Sequence, residues 1–546
     1  MKNLPIGIED FKTLIDKDYY FADKTKWIED AIKQNVTFYT YPRRFGKSLN
    51  MSMLYYFFSN KEKENAYLFN GLEISHNLDA MKSQNQYPVI SITLKDLSNT
   101  TFDEQIEQFR VILYILCDKF QELLNSDQLR QDEKDIFSRY LSQTSTITEI
   151  KNSLFYLTNI LYKHYGQKVI VLIDEYDVPL QKAYLYGYYD EMVNFLRSLF
   201  SSAFKTNIAL EKAIFTGCLR IAKESIFTGF NNFVVDGILN TQEFQAFGFT
   251  NGEVDQLLEE CNLTSCKDTL KEWYDGYLFG GKEIYNPWST LNYLMKCMSG
   301  NTRAESYWAN SSGNDIVYNY LNNSTEEIRD DFESLIHNQP ITKRIKPELT
   351  YREMDDINNV YSFLLFTGYL KVVGIHDNDT YDLAIPNKEV KKIYEDSFMD
   401  YTSNLNKKYK DELYQAFISK DDQKASLILN EILVNSISYY DSKESFYHGF
   451  LVGLLQGYSV ESNKESGDDR FDIIVKPRSY LNNAFIIECK VSNDMLSLEK
   501  DAEVGTQQII EKNYKQYLKT LGYDSVVGYG IAFCKKKCVV KVCENL

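Results

Sequence analysis

The chain has 546 residues, 44% of them hydrophobic and 25% charged, an ordinary globular composition. That excludes a wholly disordered chain, and the length requires several hydrophobic cores rather than one. Sixty Lys+Arg against 77 Asp+Glu give a net charge of −17, which excludes a uniformly basic nucleic-acid binder while leaving room for a local basic cleft.

Four runs mark strands in the first part, Val36–Tyr41, Pro88–Leu94, Val169–Ile173 and Ala213–Thr216, three of them near-continuous apolar or β-branched. Amphipathic helices lie between them, over Phe102–Leu124 and Tyr188–Phe204. Strand–helix alternation predicts an α/β domain over residues 1–235. From 236 to 440 helical periodicity dominates, broken by Asn, Asp and Gly, and a mainly α region is expected there. Residues 441–546 open with a helix at Phe446–Leu455. Strands are expected at Phe471–Val475, Ala484–Val491, Ser525–Phe533 and Cys538–Val542, with a helix over Asp501–Leu521. Nine cysteines, odd in number and scattered, read as reduced thiols of a cytoplasmic protein. Cys534, Cys538 and Cys543 lack zinc-ligand spacing and read as strand residues. The first ten residues show no signal-peptide pattern, and no run of about 18 apolar residues predicts a membrane span.

The segment Tyr41-Pro-Arg43-Arg44-Phe-Gly46-Lys47-Ser48 joins the first strand to a helix expected at Leu49–Phe58. A strand–loop–helix in that order suits a phosphate loop. Its amides and Lys47 would hold phosphates, and Ser48 would ligate Mg²⁺. The first glycine of the usual motif is Tyr41 here, a residue ill suited to positive φ, so the start of the loop must differ. Only 13 of the 60 basic residues are Arg, so the pair Arg43-Arg44 stands out as a planar phosphate contact. The run Val169–Ile173 ends in Asp174-Glu175; Asp174 would hold Mg²⁺ and Glu175 polarise a water. Thr216 and Arg220 are placed like sensors of the nucleotide phosphate, although a strand-end Thr and a surface Arg fit the same positions.

Near the C-terminus, Glu488 and Lys490 lie two apart on one strand and share a face, with Asp472 near the start of the preceding strand. Two carboxylates suit Mg²⁺, and Lys490 could orient a water and offset phosphate charge. Buried charge among Phe485-Ile-Ile and Ile473-Ile-Val is costly unless paired or metal-bound. Glu444, at i−4 from His448, could complete the metal site, while His448 alone fits an ordinary hydrogen-bonding role. Ser462-Asn-Lys-Glu465-Ser-Gly467 reads as a polar loop. Gln508, Lys512, Tyr514, Lys515 and Lys519 could contact a nucleic-acid backbone or simply form a solvated helix face.

These motifs, with Leu4-Pro-Ile-Gly-Ile, Tyr20-Phe-Ala-Asp23-Lys24-Thr25, Trp273-Tyr-Asp-Gly-Tyr277, Tyr285-Asn-Pro-Trp288, Ile385-Pro-Asn-Lys-Glu389 and Phe446-Tyr-His-Gly-Phe450, give the chain a specific likeness. It resembles the bacterial AAA-ATPase-like proteins that carry a C-terminal PD-(D/E)XK nuclease domain. The resemblance implies an α/β architecture: an N-terminal P-loop parallel-sheet domain, a mainly α middle and a C-terminal restriction-endonuclease-like domain. It implies Lys47, Ser48, Asp174 and Glu175 as the nucleotide site, Asp472 and Glu488 as metal ligands and Lys490 as the catalytic lysine. The proline expected one residue before Asp472 is Phe471 here, a position that varies in this superfamily.

The expected function is an ATP-binding, Mg²⁺-dependent nuclease acting on nucleic acid, DNA rather than RNA, with the ATPase domain regulating or powering cleavage. The alternative is a nucleotide-dependent switch whose C-terminal domain binds nucleic acid or a partner without cleaving. A ring of identical subunits also suits an AAA-like module. Residues 440–546 hold 14 Lys+Arg and 15 Asp+Glu, a net of −1, so −16 of the charge lies outside the nuclease-like part. The acidity therefore does not oppose nucleic-acid binding at the C-terminus, where binding should be salt-sensitive.

Overall fold

Apolar, β-branched runs build the first sheet in the computed structural model: β1 (Val36–Thr40), β2 (Val89–Thr93), β3 (Val169–Asp174), β4 (Leu210–Gly217) and β5 (Val234–Gly237). All pairings are parallel, in the order β2-β3-β4-β1-β5. Every residue of β1 and β3 is buried, as a parallel sheet covered on both faces requires. Phe215 of β4 stacks on Phe38 of β1 at 4.3 Å and meets Phe200 and Phe204 of the helix Tyr189–Phe204 edge-on. Burying one such ring is worth about 1.5–3 kcal/mol. The described residues are 3–220, 233–240, 245–308, 325–356, 359–436, 444–455 and 459–543, the last stretch without 463–464, 467–468, 471, 477–482, 513–515, 517, 520–521 and 524. They fall into two compact units, Met1–Asn314 with Leu335–Ile393, and Asp315–Ser334 with Tyr394–Leu546.

The helix expected over Phe102–Leu124 is α-helical to Asp118 and then tightens into a 3₁₀ turn, Gln121–Asn125. The middle of the chain is helical, with Asn251–Cys261, Lys267–Tyr274 and Pro287–Met298 sharing one core. It also carries strands that helical periodicity concealed. One hairpin is β6 (Tyr277–Phe279) and β7 (Lys282–Ile284), turned at Gly280-Gly281, both at positive φ as a tight two-residue turn demands. An antiparallel sheet joins β8 (Ile341–Arg344), β9 (Lys371–Ile375) and β10 (Thr380–Ala384) in the order β8-β10-β9. These strands are three to five residues long, too short for alternation to outweigh their neighbours.

The second unit holds β11 (Ser459–Ser462), the two-residue ribbon β12 (Glu465–Ser466) and β13 (Asp469–Arg470), then β14 (Ile473–Lys476), β15 (Ala484–Val491), β16 (Val526–Cys534) and β17 (Lys537–Cys543). The main sheet runs β11-β14-β15-β16-β17, with β15 and β16 parallel and the other pairs antiparallel. The segment expected as a polar loop from Ser462 thus supplies the end of an edge strand and part of a ribbon. The helix expected over Asp501–Leu521 runs from Leu498 to Glu511 and makes the crossover between the parallel strands.

Alternation along β15 divides its residues between two faces. Phe485, Ile487 and Cys489 enter a core with Phe417, Leu451, Tyr529 and Phe533. Ala484 and Ile486 face the other way, with Ile509 of the crossover helix, and Glu488 and Lys490 continue that face. The helix can lie there because Gly505 and Gly530 meet backbone to backbone. A Cβ on Gly530 would stand 2.0 Å from the Ala502 carbonyl oxygen.

All nine cysteines are free and buried, and Cys534, Cys538 and Cys543 are strand residues. Among the described residues no helix is long and apolar enough to cross a membrane.

Candidate functional site

In the first sheet β3, β4 and β1 are neighbours, so their C-terminal ends open side by side, where open parallel sheets bind ligands. Four of the sequence-predicted residues meet there. The Ser48 hydroxyl donates to Asp174 Oδ2 at 2.6 Å, the Thr216 hydroxyl donates to Asp174 Oδ1, and the Glu175 amide reaches the same Oδ1 at 3.0 Å. Lys47 is buried, its ammonium donating to the carbonyls of Tyr41 (2.9 Å) and Pro42 (2.8 Å), 3.7 Å from Cys218 Sγ.

The missing glycine has a structural answer. Tyr41 ends the strand direction, its amide donating to the Gly217 carbonyl at 3.0 Å and its ring stacking on Phe247 at 4.4 Å. The left-handed turn falls further on, at Arg44 (φ +70°) and Gly46 (φ +85°), where the helix Lys47–Phe58 begins. Glu175 also sits at φ +53°, a conformation costly for a residue with a Cβ. Burial and the neighbouring Asp174 push its carboxyl above the ordinary range.

The arginines are engaged with protein groups. Arg43 Nη2 donates to Gln181 Oε1 at 2.6 Å, and the Arg44 guanidinium lies 4.3 Å from the centre of the Trp288 ring. Arg220 pairs with Glu348 at 2.7 Å. Sequence reasoning passed over Asp177, whose Oδ2 accepts the amides of Cys218 (2.9 Å) and Leu219 (3.2 Å) and so fixes the chain just beyond Thr216. Its signal was present in the acidic run Asp174–Asp177. A cavity of about 420 Å³ opens beside the loop, bounded by Gly46, Lys47, Ser48 and Glu175 on one side. Buried amides, an ammonium and a hydroxyl–carboxylate pair at a sheet edge can hold a phosphate and its counter-cation.

In the second unit Asp472, Glu488 and Lys490 converge. The Cys489 amide donates to Asp472 Oδ2 at 2.9 Å, holding that carboxylate beside β15. Lys490 Nζ lies 3.5 Å from Glu488 Oε1. Glu488 is 2% exposed, and its Oε2 has no hydrogen-bond partner among the described residues. Burial and the adjacent Asp472 push its carboxyl up to about 7, against the pull of Lys490 and Lys512.

His448, on the helix Glu444–Leu454, has Nε2 3.0 Å from the Asp472 carbonyl, so Nε2 carries the proton and donates. Glu444 opens that helix; its side chain lies outside the described ones, as do Tyr514 and Lys515. Gln508 and Lys512 sit at the end of the crossover helix, and Lys519 is exposed beyond it. Among the described residues no group of three or more His, Cys, Asp or Glu could enclose a metal. A pair of carboxylates is nevertheless what Mg²⁺ commonly uses, since it keeps most of its waters. The orphaned Glu488 oxygen fits a cation.

Comparison with known proteins gives two family matches. Residues 5–227 match the AAA-ATPase-like family of predicted AAA-ATPases, and residues 442–543 match the PD-(D/E)XK nuclease superfamily. An uncharacterized protein from the vnfD 5′ region of Azotobacter chroococcum mcd 1 is 28% identical over 397 residues, which cover 71% of this chain and 68% of that protein.

Proposed function

We propose that this chain, which joins an AAA-ATPase-like domain to a PD-(D/E)XK nuclease superfamily domain, is a Mg²⁺-dependent nuclease whose ATP-binding domain regulates or powers cleavage. One observation carries the reading: a buried carboxylate, Glu488, left with an unpartnered oxygen between Asp472 and Lys490. Burying a carboxylate oxygen without a partner is costly, and a cation bound between Asp472 and Glu488 would offset that cost.

Asp472 and Glu488 would hold Mg²⁺, which when bound supplies a polarised water and charge neutralisation at phosphate. Lys490 holds its ammonium at the same edge, where it orients the attacking water and faces the charge that grows on the phosphate oxygens. His448 fixes the backbone of Asp472, and the Cys489 amide fixes its carboxylate. In the first unit Lys47 binds the phosphates of ATP, while Ser48 and Asp174 would hold its Mg²⁺. Glu175 orients a water, and Thr216, Arg43, Arg44 and Arg220 read the phosphates. The helical middle, residues 236–440 in a three-part division with 1–235 and 441–546, conveys nucleotide state. The substrate is nucleic acid, DNA before RNA. Nine free buried cysteines fit a reducing cytoplasm.

Cleavage of duplex and single-stranded DNA and RNA, with Mg²⁺ or EDTA and with or without ATP, tests the proposal. Mg²⁺-dependent cleavage that Lys490→Ala abolishes is the expected result. ATP hydrolysis without cleavage under any divalent metal would replace it with the nucleotide-dependent switch.

A further inference from the structure

The strand that carries Glu488 and Lys490, β15, leads directly into a turn, residues 493–497, whose tip holds two exposed apolar side chains. Leu496 is 96% exposed and Met495 57%. Resting on the reading of Asp472, Glu488 and Lys490 as a phosphodiester-cleaving site, we propose that this tip is a wedge that enters a base step of duplex DNA a few base pairs from the cut.

The turn is fastened at both ends. At its root the Ser492 amide donates to the Phe533 carbonyl at 2.8 Å. Inside it Asp494 Oδ1 accepts the amides of Leu496 and Ser497, each at 2.9 Å, and the Ser497 hydroxyl at 3.0 Å. The crossover helix follows at once, the Asp501 amide donating to the Ser497 carbonyl at 2.9 Å. Leu498 is buried with Ala502, Ala532 and Cys534, so anchoring the turn is its work and not that of Leu496. Single exposed apolar residues are ordinary on protein surfaces. Two adjacent ones crown a tightly held turn here, where Gly, Asn, Asp and Ser are the usual choices, and only a partner could bury them.

The distance to the carboxylates names the partner. Gly505 lies against Glu488, since a Cβ on it would stand 3.3 Å from the Glu488 carbonyl oxygen. The helix from there back to its start at Leu498 rises by about 10 Å, which is about three base pairs of duplex at ~3.4 Å each. A duplex with a phosphate at Glu488 and Lys490 is long enough to reach the tip. Asp494 is turned onto its own amides and Glu499 pairs with Lys541 at 3.6 Å, so the acids that flank the tip in sequence are engaged within the protein. Leu and Met side chains suit the gap between parted bases because they fill it without asking for hydrogen bonds. Parting a step costs least where pairing is already broken, so the wedge directs cleavage to duplex that is mismatched or easily kinked.

Cleavage by the full-length protein with Mg²⁺ tests this on a fully paired DNA duplex and on the same duplex mismatched about three base pairs from a mapped cut. Met495→Ser combined with Leu496→Ser should lower kcat/KM on the paired duplex by roughly 10–100-fold, the value of one buried apolar side chain, and on the mismatched duplex by less than about threefold. Leu427→Ser, at a leucine 72% exposed on the helix Asp422–Ser436 of the same unit, should leave both rates unchanged. With Ca²⁺ replacing Mg²⁺, wild type should raise the fluorescence of 2-aminopurine placed at the parted step, and the double variant should bind the duplex without that rise. Equal losses on both duplexes, no loss on either, no fluorescence rise with wild type, or cleavage by wild type of single strands or RNA alone would overturn the wedge. So would a double variant altered only in its size on gel filtration, which would assign the tip to a second copy of this chain. Wild type that cuts no nucleic acid with any divalent metal would instead overturn the cleavage site on which the wedge rests.

Discussion

The two candidate sites solve opposite electrostatic problems. At the first sheet Asp174 and Lys47 are already partnered within the protein: Asp174 accepts from Ser48, Thr216 and the Glu175 amide, and Lys47 is held by two carbonyls of its own loop. A ligand that takes up Lys47 or Ser48 there must replace bonds the protein makes with itself. At the second sheet Glu488 keeps one oxygen unpartnered, next to a second carboxylate and 3.5 Å from the nearest ammonium. That site is set up for a cation at a cost to the metal-free fold. Under the proposed function, nucleotide would exchange with internal bonds at the first site, and a cation would relieve an unpartnered carboxylate at the second.

The largest effect that could break this contrast is on cleavage. Lys490→Ala should lower the cleavage rate by roughly 10²–10³-fold, the usual cost of removing one charge-stabilising donor, with an unfolding curve like that of wild type. An active Lys490→Ala protein would leave the second site without its chemistry. Next comes His448→Ala. Losing the hydrogen bond to Asp472 should weaken apparent Mg²⁺ affinity by about 10–100-fold, with the rate recovered at saturating metal and partly restored by His448→Gln. A change in rate that metal does not rescue would contradict a positioning role.

Stability should then separate the sites. Glu488 titrates near 7 in the fold against 4.5 as its ordinary value, so the metal-free folded chain keeps a proton that the unfolded chain releases. Its stabilising effect is complete below about 4.5 and is lost as pH rises through 7. Glu389, buried and pushed up to about 7, bends the curve the same way, so the comparison has to be with Glu488→Gln. In EDTA, the unfolding temperatures of wild type and Glu488→Gln should nearly coincide at pH 4.5, with the variant higher at pH 7.5. Added Mg²⁺ should raise wild type alone. Identical curves at both pH values would show that Glu488 carries no penalty. The smallest effect is at the first site: Ser48→Ala removes one of three bonds to Asp174 and should cost about 1 kcal/mol of nucleotide-free stability in urea unfolding. A cost near zero would mean that the internal latch is not holding the loop.

The fold class was legible in the sequence because parallel strands buried on both faces leave long apolar runs, and Asp174-Glu175 ends one of them. Glu488 and Lys490 were legible as sharing a face because strand alternation is strict. Contacts between distant segments were not. Nothing local relates His448 to the Asp472 carbonyl. Lys24 reads as a surface lysine until its partners Glu253 and Gln245 arrive more than 200 residues later. Glu389 was visible only as part of a motif. In the structure one of its oxygens accepts the amides of Tyr307 (2.7 Å) and Trp308 (2.8 Å) and the Ser289 hydroxyl (3.0 Å), which no periodicity encodes. The short strands β6 to β10 escaped for the opposite reason: their local pattern was too brief to compete with the helices around them.

The bare contact between Gly505 and Gly530 has a consequence for control. Helix and strand touch backbone to backbone, and the Glu488 carbonyl oxygen stands 3.3 Å from where a Gly505 Cβ would be. At this point beside Glu488, helix and strand have no side chains between them that could repack between two states. Under the proposed function, control of cleavage by nucleotide would act on the admission of substrate rather than by moving helix against strand at this contact.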